Sequence, residues 1–129
     1  MKQEEIDLLL QDICSRLPYG VKVEYENEIF DVEYVSPMYE EVKLDIPETW
    51  TIGVSEVKPY LFPLSSMTEE QKEEFNTQSF KLQLQVIDDE IMYEKATEFE
   101  VDFYNKHHLD WRGLIPMGLA IDATGLNIY

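Results

Sequence analysis

Residues 21–35 read Val21-Lys22-Val23-Glu24-Tyr25-Glu26-Asn27-Glu28-Ile29-Phe30-Asp31-Val32-Glu33-Tyr34-Val35, and this stretch decides the fold class. Val21, Val23 and Tyr25 alternate with Lys22, Glu24 and Glu26. After Asn27-Glu28, the apolar series Phe30, Val32 and Tyr34 alternates with Asp31, Glu33 and Val35. A period of two puts successive side chains on opposite faces of a strand, so the spacing predicts a β-hairpin with one apolar face and one acidic face. Side chains two apart on a strand lie about 6.6–6.8 Å apart. Glu24, Glu26 and Glu28, with Asp31 and Glu33 across from them, are therefore expected to form a regular row of negative charge. Two readings of that row stand side by side. It is a solvated outer face whose repulsion protects a sheet edge, or it is a contact surface for a basic partner that imitates a nucleic-acid backbone.

Upstream, Ile6, Leu9, Leu10, Ile13 and Leu17 follow helical spacing, which predicts an amphipathic helix over residues 3–16. Pro18 and Gly20 end it. Downstream, Val42, Leu44 and Ile46 form a third alternating strand closed by Pro47, and residues 49–54 offer a short fourth. Residues 58–67 carry Pro59 and Pro63, which force an extended, irregular path. Thr68-Glu69-Glu70-Gln71 is a capping box opening a short helix to about Phe75. Phe80, Leu82, Leu84 and Val86 alternate as another strand. A second capping box, Thr97-Glu98-Phe99-Glu100, opens a helix running to about His107. Residues 110–114 form one more turn, and the apolar tail from Gly118 to Tyr129 docks. The expected fold is a single α+β domain over residues 1–129. It has four to five mostly antiparallel strands packed with an N-terminal and a C-terminal helix.

The chain has 129 residues, with 27 Asp and Glu against 10 Lys and Arg, a net charge of −17. Residues 24–41 hold seven acids and no base, and residues 88–102 are net −6, whereas residues 103–129 are neutral. A protein that grips phosphate backbones needs a basic stripe, so direct nucleic-acid binding is not expected. Hydrophobic content of 44% and aromatic content of 12% exclude a disordered acidic tail. No stretch approaches the roughly 20 apolar residues of a membrane span, and the N-terminus lacks the pattern of a signal peptide. A single cysteine, Cys14, allows no internal disulfide. These features together point to the cytoplasm, with Cys14 as filler on the first helix.

No catalytic motif is present. His107-His108-Leu109-Asp110-Trp111-Arg112 is the densest polar cluster, and a metal-dependent enzyme would centre on His107, His108 and Asp110. Adjacent helical residues point about 100° apart, and the paired spacing of a His-Glu-x-x-His helix is missing. The cluster is read instead as a helix C-terminal cap with Arg112 paired to Asp110 or to a surface carboxylate. Asp88-Asp89-Glu90 lacks the spacing and central glycine of an EF-hand, and is read as an acidic turn. Ser65-Ser66 has no nucleophile-elbow context. The five glycines are scattered, so there is no phosphate loop. Trp50 and Trp111 are read as core or boundary residues. No metal or cofactor is expected.

Three segments carry a resemblance: Leu17 to Val23 (LPYGVKV), Lys58 to Thr68 (KPYLFPLSSMT) and Phe103 to Ala123 (FYNKHHLDWRGLIPMGLAIDA). The chain resembles a group of small acidic proteins from gut anaerobes, often found with prophages and other mobile elements. That resemblance implies an accessory role without a defined activity, and makes Lys58, Tyr60, His108 and Arg112 candidate functional residues. Phe62 stands where an Arg is expected in this group. The expected function is a non-enzymatic accessory protein that acts by contact with another protein, a basic one in the sharper form of this reading. The alternatives are the metal-dependent enzyme and a phage structural or assembly component, which predicts an oligomer.

Overall fold

The computed structural model describes residues 1–47, 50–84 and 90–129 and, within them, the side chains of all but residues 79–97. Helix α1 spans Gln3–Arg16, the range its apolar stripe predicts. Leu9 and Ile13 are fully buried, and Ile6, Leu10 and Leu17 pack at the margin of the core. Glu4 and Glu5 in the first turn and Arg16 in the last complement the helix dipole. Pro18 sits in a tight turn at Leu17–Tyr19, and Gly20 follows at φ 87°, a conformation that favours glycine.

The predicted hairpin forms. Strand β1 (Lys22–Tyr25) pairs antiparallel with β2 (Glu28–Ser36), with Lys22 opposite Asp31, Val23 opposite Phe30, Glu24 opposite Ile29 and Tyr25 opposite Glu28. Glu26 and Asn27 make the turn at φ 51° and 65°. Positive φ at both central residues matches the twist of the strands they join. Strands β3 (Glu41–Leu44), β4 (Ile52–Gly53), β5 (Lys58–Leu61) and β6 (Ile121–Asp122) complete one sheet in the order β4-β3-β2-β1-β5-β6. Every pairing is antiparallel except β5 with β6. Among the described residues the fold is α+β, with six strands rather than four or five, and the short helix expected to about Phe75 runs on to Leu84.

Val23, Val32, Val42, Leu44 and Ile52 of the sheet meet Leu9 and Ile13 of α1, and Leu61, Leu114 and Leu119 close the cluster. Each fully buried aliphatic side chain here stabilises by about 1.5–3 kcal/mol. Helix α2 (Glu69–Leu84) and helix α3 (Glu90–Lys106) pack on each other, with Phe75 5.3 Å from both the Phe103 and Tyr104 rings. Among the described residues no helix is long and apolar enough to cross a membrane.

Four expectations are corrected. The β2 register shifts between Val32 and Tyr34, a bulge that turns Tyr34 outward and Val35 toward the core. Lys58–Leu61 is a strand, because the extended path that Pro59 imposes is also strand geometry. The β6 ladder begins at Tyr60, past the residue without an N–H. Residues 80–84 are helix, not strand. Phe80-Lys81-Leu82-Gln83-Leu84 contains no β-branched residue and is rich in strong helix formers, so the capped helix runs on through it. Thr97 lies inside α3 rather than at its start, since a helix already nucleated at Glu90 propagates through an internal capping sequence. The expected acidic turn at Asp88-Asp89, and the ends of the two expected strands at Thr49 and Gln85-Val86, lie outside the described residues.

Candidate protein-interaction site

The outer face of the hairpin is not the regular acidic row its spacing predicts. Lys22 Nζ lies 2.8 Å from Asp31 Oδ1, and Lys43 Nζ lies 3.8 Å from Glu33 Oε2. Glu24 has Lys58 of β5 as one cross-strand partner and Ile29 as the other. Lysines thus interleave with Glu24, Asp31 and Glu33. Glu26 lies in the turn, and Glu28 shares the opposite face with its partner Tyr25. The reason is register. The two-residue turn puts even-numbered residues of β2 on the face of odd-numbered residues of β1, so acids on the two strands do not all align.

Glu26 and Glu28 instead meet an aromatic groove at the hairpin end. Tyr25, Phe30, Ile46, Pro47 and Trp50 line it together with these two glutamates, around a space of about 550 Å³. Tyr25, Phe30 and Ile46 are the margin of the core, carried past the last fully buried layer. The Tyr25 and Phe30 rings lie 6.3 Å apart at 56°. Trp50 remains 61% exposed. Partial desolvation, then the charge of Glu26 and a hydrogen bond to that carboxylate, then the charge of Glu56, raise the Tyr25 phenol above its ordinary value, so it stays neutral at physiological pH. None of the described lining residues is basic.

The C-terminal segment builds a second polar site, buried rather than open. Asp12 and Arg16 lie one turn apart on α1 and are both essentially inaccessible. Asp12 accepts from Arg16 Nε at 3.0 Å through Oδ2 and from Arg112 Nη1 at 2.7 Å through Oδ1. Arg16 donates on to the carbonyl of Leu109 at 2.7 Å. The Arg112 guanidinium lies 4.0 Å from the centre of the Trp111 ring, whose Nε1 donates to Asn105 Oδ1 at 3.0 Å. Asp110 spends both carboxylate oxygens on the backbone N–H groups of Leu114 and Ile115, at 2.8 and 2.9 Å. The expected cap of α3 is made by the backbone, with His108 N–H donating to Asn105 O at 3.2 Å and Leu109 N–H to Tyr104 O at 2.8 Å. Arg112 pairs neither with Asp110 nor with a surface carboxylate but with the buried Asp12 of α1, one hundred residues away.

His107, His108 and Asp110 do not converge. His107 packs on Phe103 at 4.5 Å and its Nδ1 faces Gln71 Nε2 at 3.4 Å, whereas the His108 ring stacks on Tyr129 at 3.6 Å and 15°. Among the described residues no group of three His, Cys, Asp or Glu side chains could hold a metal ion. His108 takes φ 58°. Burial, then the positive charges of Arg16, His107 and Lys22, push its imidazole down to about 4. Burial also lowers His107. Tyr129 reaches across the same corner. Its hydroxyl donates to Tyr60 O at 2.9 Å and accepts from Lys22 N at 3.1 Å, and burial of that end pushes the phenol up to about 12.

Of the four residues marked by resemblance, Tyr60, His108 and Arg112 thus lie in this corner, while Lys58 is exposed beside Glu24. A cleft of about 230 Å³ opens nearby between Phe62, Ser66, Thr68, Gln71, His107, Leu109, Thr124 and Gly125. Its hydroxyl and amide groups serve the fold, while the buried His107 Nε2 has no hydrogen-bond partner among the described residues. Thr68 and Gln71 form the reciprocal capping box at 3.0 and 3.1 Å, Ser66 donates to Pro63 O, and Thr124 donates to Asp122. Cys14 is half-buried on α1, and burial raises its thiol, which keeps it protonated.

Sequence reasoning missed Tyr25, Phe30, Ile46, Pro47 and Trp50 as one surface, because the loop after β3 brings the last three to the hairpin only in the folded chain. It also missed Asp12 and Arg16, although their spacing of four on the buried stripe of α1 was a readable signal. Comparison with protein-family models, with curated proteins and with solved structures gives no match for this chain.

Proposed function

We propose that this chain is a non-enzymatic accessory protein, of the mobile-element kind it resembles, that acts by binding a basic protein. The observation that carries this reading is the hairpin end, where two exposed glutamates border an aromatic groove that, among the described residues, no basic side chain lines. The rest of the molecule supports it by contrast. The buried corner has both its carboxylates bonded to arginines and backbone N–H groups of the same chain, so neither is open to a partner. The net charge of −17 adds long-range attraction for a positive partner, which speeds encounter and weakens with salt. The contact is centred on the hairpin end rather than on the outer face, where lysines break the acidic row. Nucleic-acid mimicry is then a matter of competing for the same basic surface rather than of copying phosphate spacing.

The test is capture from cell extract on the immobilised protein, followed by elution with salt and challenge of each eluted protein with duplex DNA. Captured proteins are expected to be basic and to leave with rising salt, and a nucleic-acid-binding partner is expected to be displaced by DNA. A partner whose binding ignores both salt and DNA overturns the proposal.

A further inference from the structure

We infer that the groove at the hairpin end seats one arginine side chain of a basic protein segment, stacked among Trp50, Tyr25 and Phe30 and neutralised by Glu26 and Glu28. This inference rests on the basic-partner reading and names the point at which that partner is anchored.

Three observations carry it. The first is shape and lining. A space of about 550 Å³ lies within the usual range of ligand sites, and its walls are three aromatic rings, Ile46 and Pro47. The second is charge complementarity. Glu26 and Glu28 are exposed at the groove with no Lys or Arg among the described lining residues. An uncharged apolar occupant would strip water from two carboxylates without replacing it, whereas a cation replaces that hydration with direct pairing. The third is Trp50, an indole left 61% exposed. Tryptophan, tyrosine and arginine dominate the energetics of protein interfaces, and they do so in pockets that exclude water.

Arginine fits this lining better than lysine. Its planar guanidinium stacks on ring faces while its fork of N–H donors meets carboxylates, and its weaker hydration makes desolvation less costly. The phenol of Tyr25, held neutral, adds a ring edge without a competing charge.

The experiment titrates a fluorescently labelled peptide of alternating arginine and glycine against the full chain at low salt, read by anisotropy. The same peptide with citrulline in place of arginine keeps the shape and removes the charge. Trp50→Ala and the double variant Glu26→Gln/Glu28→Gln are each expected to weaken arginine-peptide binding about tenfold. Glu70→Gln/Glu73→Gln, which removes the same charge from the exposed face of α2, is expected to change it by less than about twofold. The citrulline peptide is expected not to bind. Backbone-amide shifts on the unmodified chain give a readout that needs no variant to fold, and are expected to cluster at Tyr25, Glu26, Glu28, Phe30, Ile46 and Trp50. Equal losses in both glutamate pairs, with shifts spread over the acidic surface, overturn the seat and leave the basic-partner reading standing. Failure of the arginine peptide to bind the unmodified chain overturns both.

Discussion

Asp12 and Glu26 belong to the same class of side chain, and the two places where they sit behave as opposites. At the corner between α1 and the C-terminal segment, Asp12 is withdrawn from water, and each of its oxygens is held by an arginine. Asp110 beside it caps two backbone N–H groups. At the hairpin end, Glu26 and Glu28 stand in solvent at the rim of an aromatic groove. A desolvated carboxylate must be satisfied within the fold or it destabilises the fold. A solvated one costs nothing to leave open and remains available to something else. The carboxylates of the buried corner are therefore spent within the fold, and we propose that the plainer hairpin tip is where binding capacity remains.

The contrast can be broken most sharply at Asp12. Asp12→Ala leaves Arg16 and Arg112 as uncompensated charges in the corner, and is expected to destabilise the protein by about 3–5 kcal/mol in denaturant unfolding. If the corner instead behaved like the hairpin end, the loss would stay under about 1 kcal/mol.

The next largest effect is in pH. The folded value of His108, about 4, lies below its ordinary 6.5. As pH falls from 6.5, the unfolded chain takes up this proton first, so folding stability is lost between pH 6.5 and 4 and is untouched above that window. Because part of the ring still meets solvent, the loss is on the order of 1–2 kcal/mol. His108→Asn keeps a residue suited to positive φ and is expected to remove that part of the slope in unfolding midpoints measured across the window. An unchanged slope would assign the acid sensitivity elsewhere.

Tyr129→Phe keeps the ring against His108 and removes the hydroxyl that bridges Lys22 N and Tyr60 O. It is expected to lower stability by about 1 kcal/mol, seen as an earlier thermal midpoint.

The smallest effect has the opposite sign. Glu26 occupies the left-handed region, where asparagine is at home and glutamate is not. Glu26→Asn is expected to stabilise by about 0.5–1 kcal/mol while weakening arginine-peptide binding. A variant that gained stability and kept its affinity would show that Glu26 serves only the turn.

Local signals were legible wherever a segment's preference met no competitor. The stripe of α1, the hairpin and the Thr68–Gln71 capping box read correctly because spacing, turn chemistry and burial agree there. Residues 80–84 misled because alternation of Leu with Lys and Gln is equally compatible with a helix, and the capped helix upstream continued through them. Tyr34 misled because a bulge resets period two by one residue and leaves no mark in the pattern. For the site, Glu26 and Glu28 were marked from their spacing, whereas Trp50, Ile46 and Pro47 were not, since nothing local ties them to the hairpin.

By itself, the sequence determined that this protein is acidic and α+β, built around a hairpin with an N-terminal helix against its core. Those properties follow from composition and from periodicities of two and 3.6, which act over a few neighbouring residues. Tertiary structure alone decided which charges are buried in pairs and which remain open. Arg112 finds Asp12 one hundred positions away, and Trp50 finds Tyr25 across a loop. The free energy of a charge depends on the solvent and partners around it, and those are set only when distant segments meet.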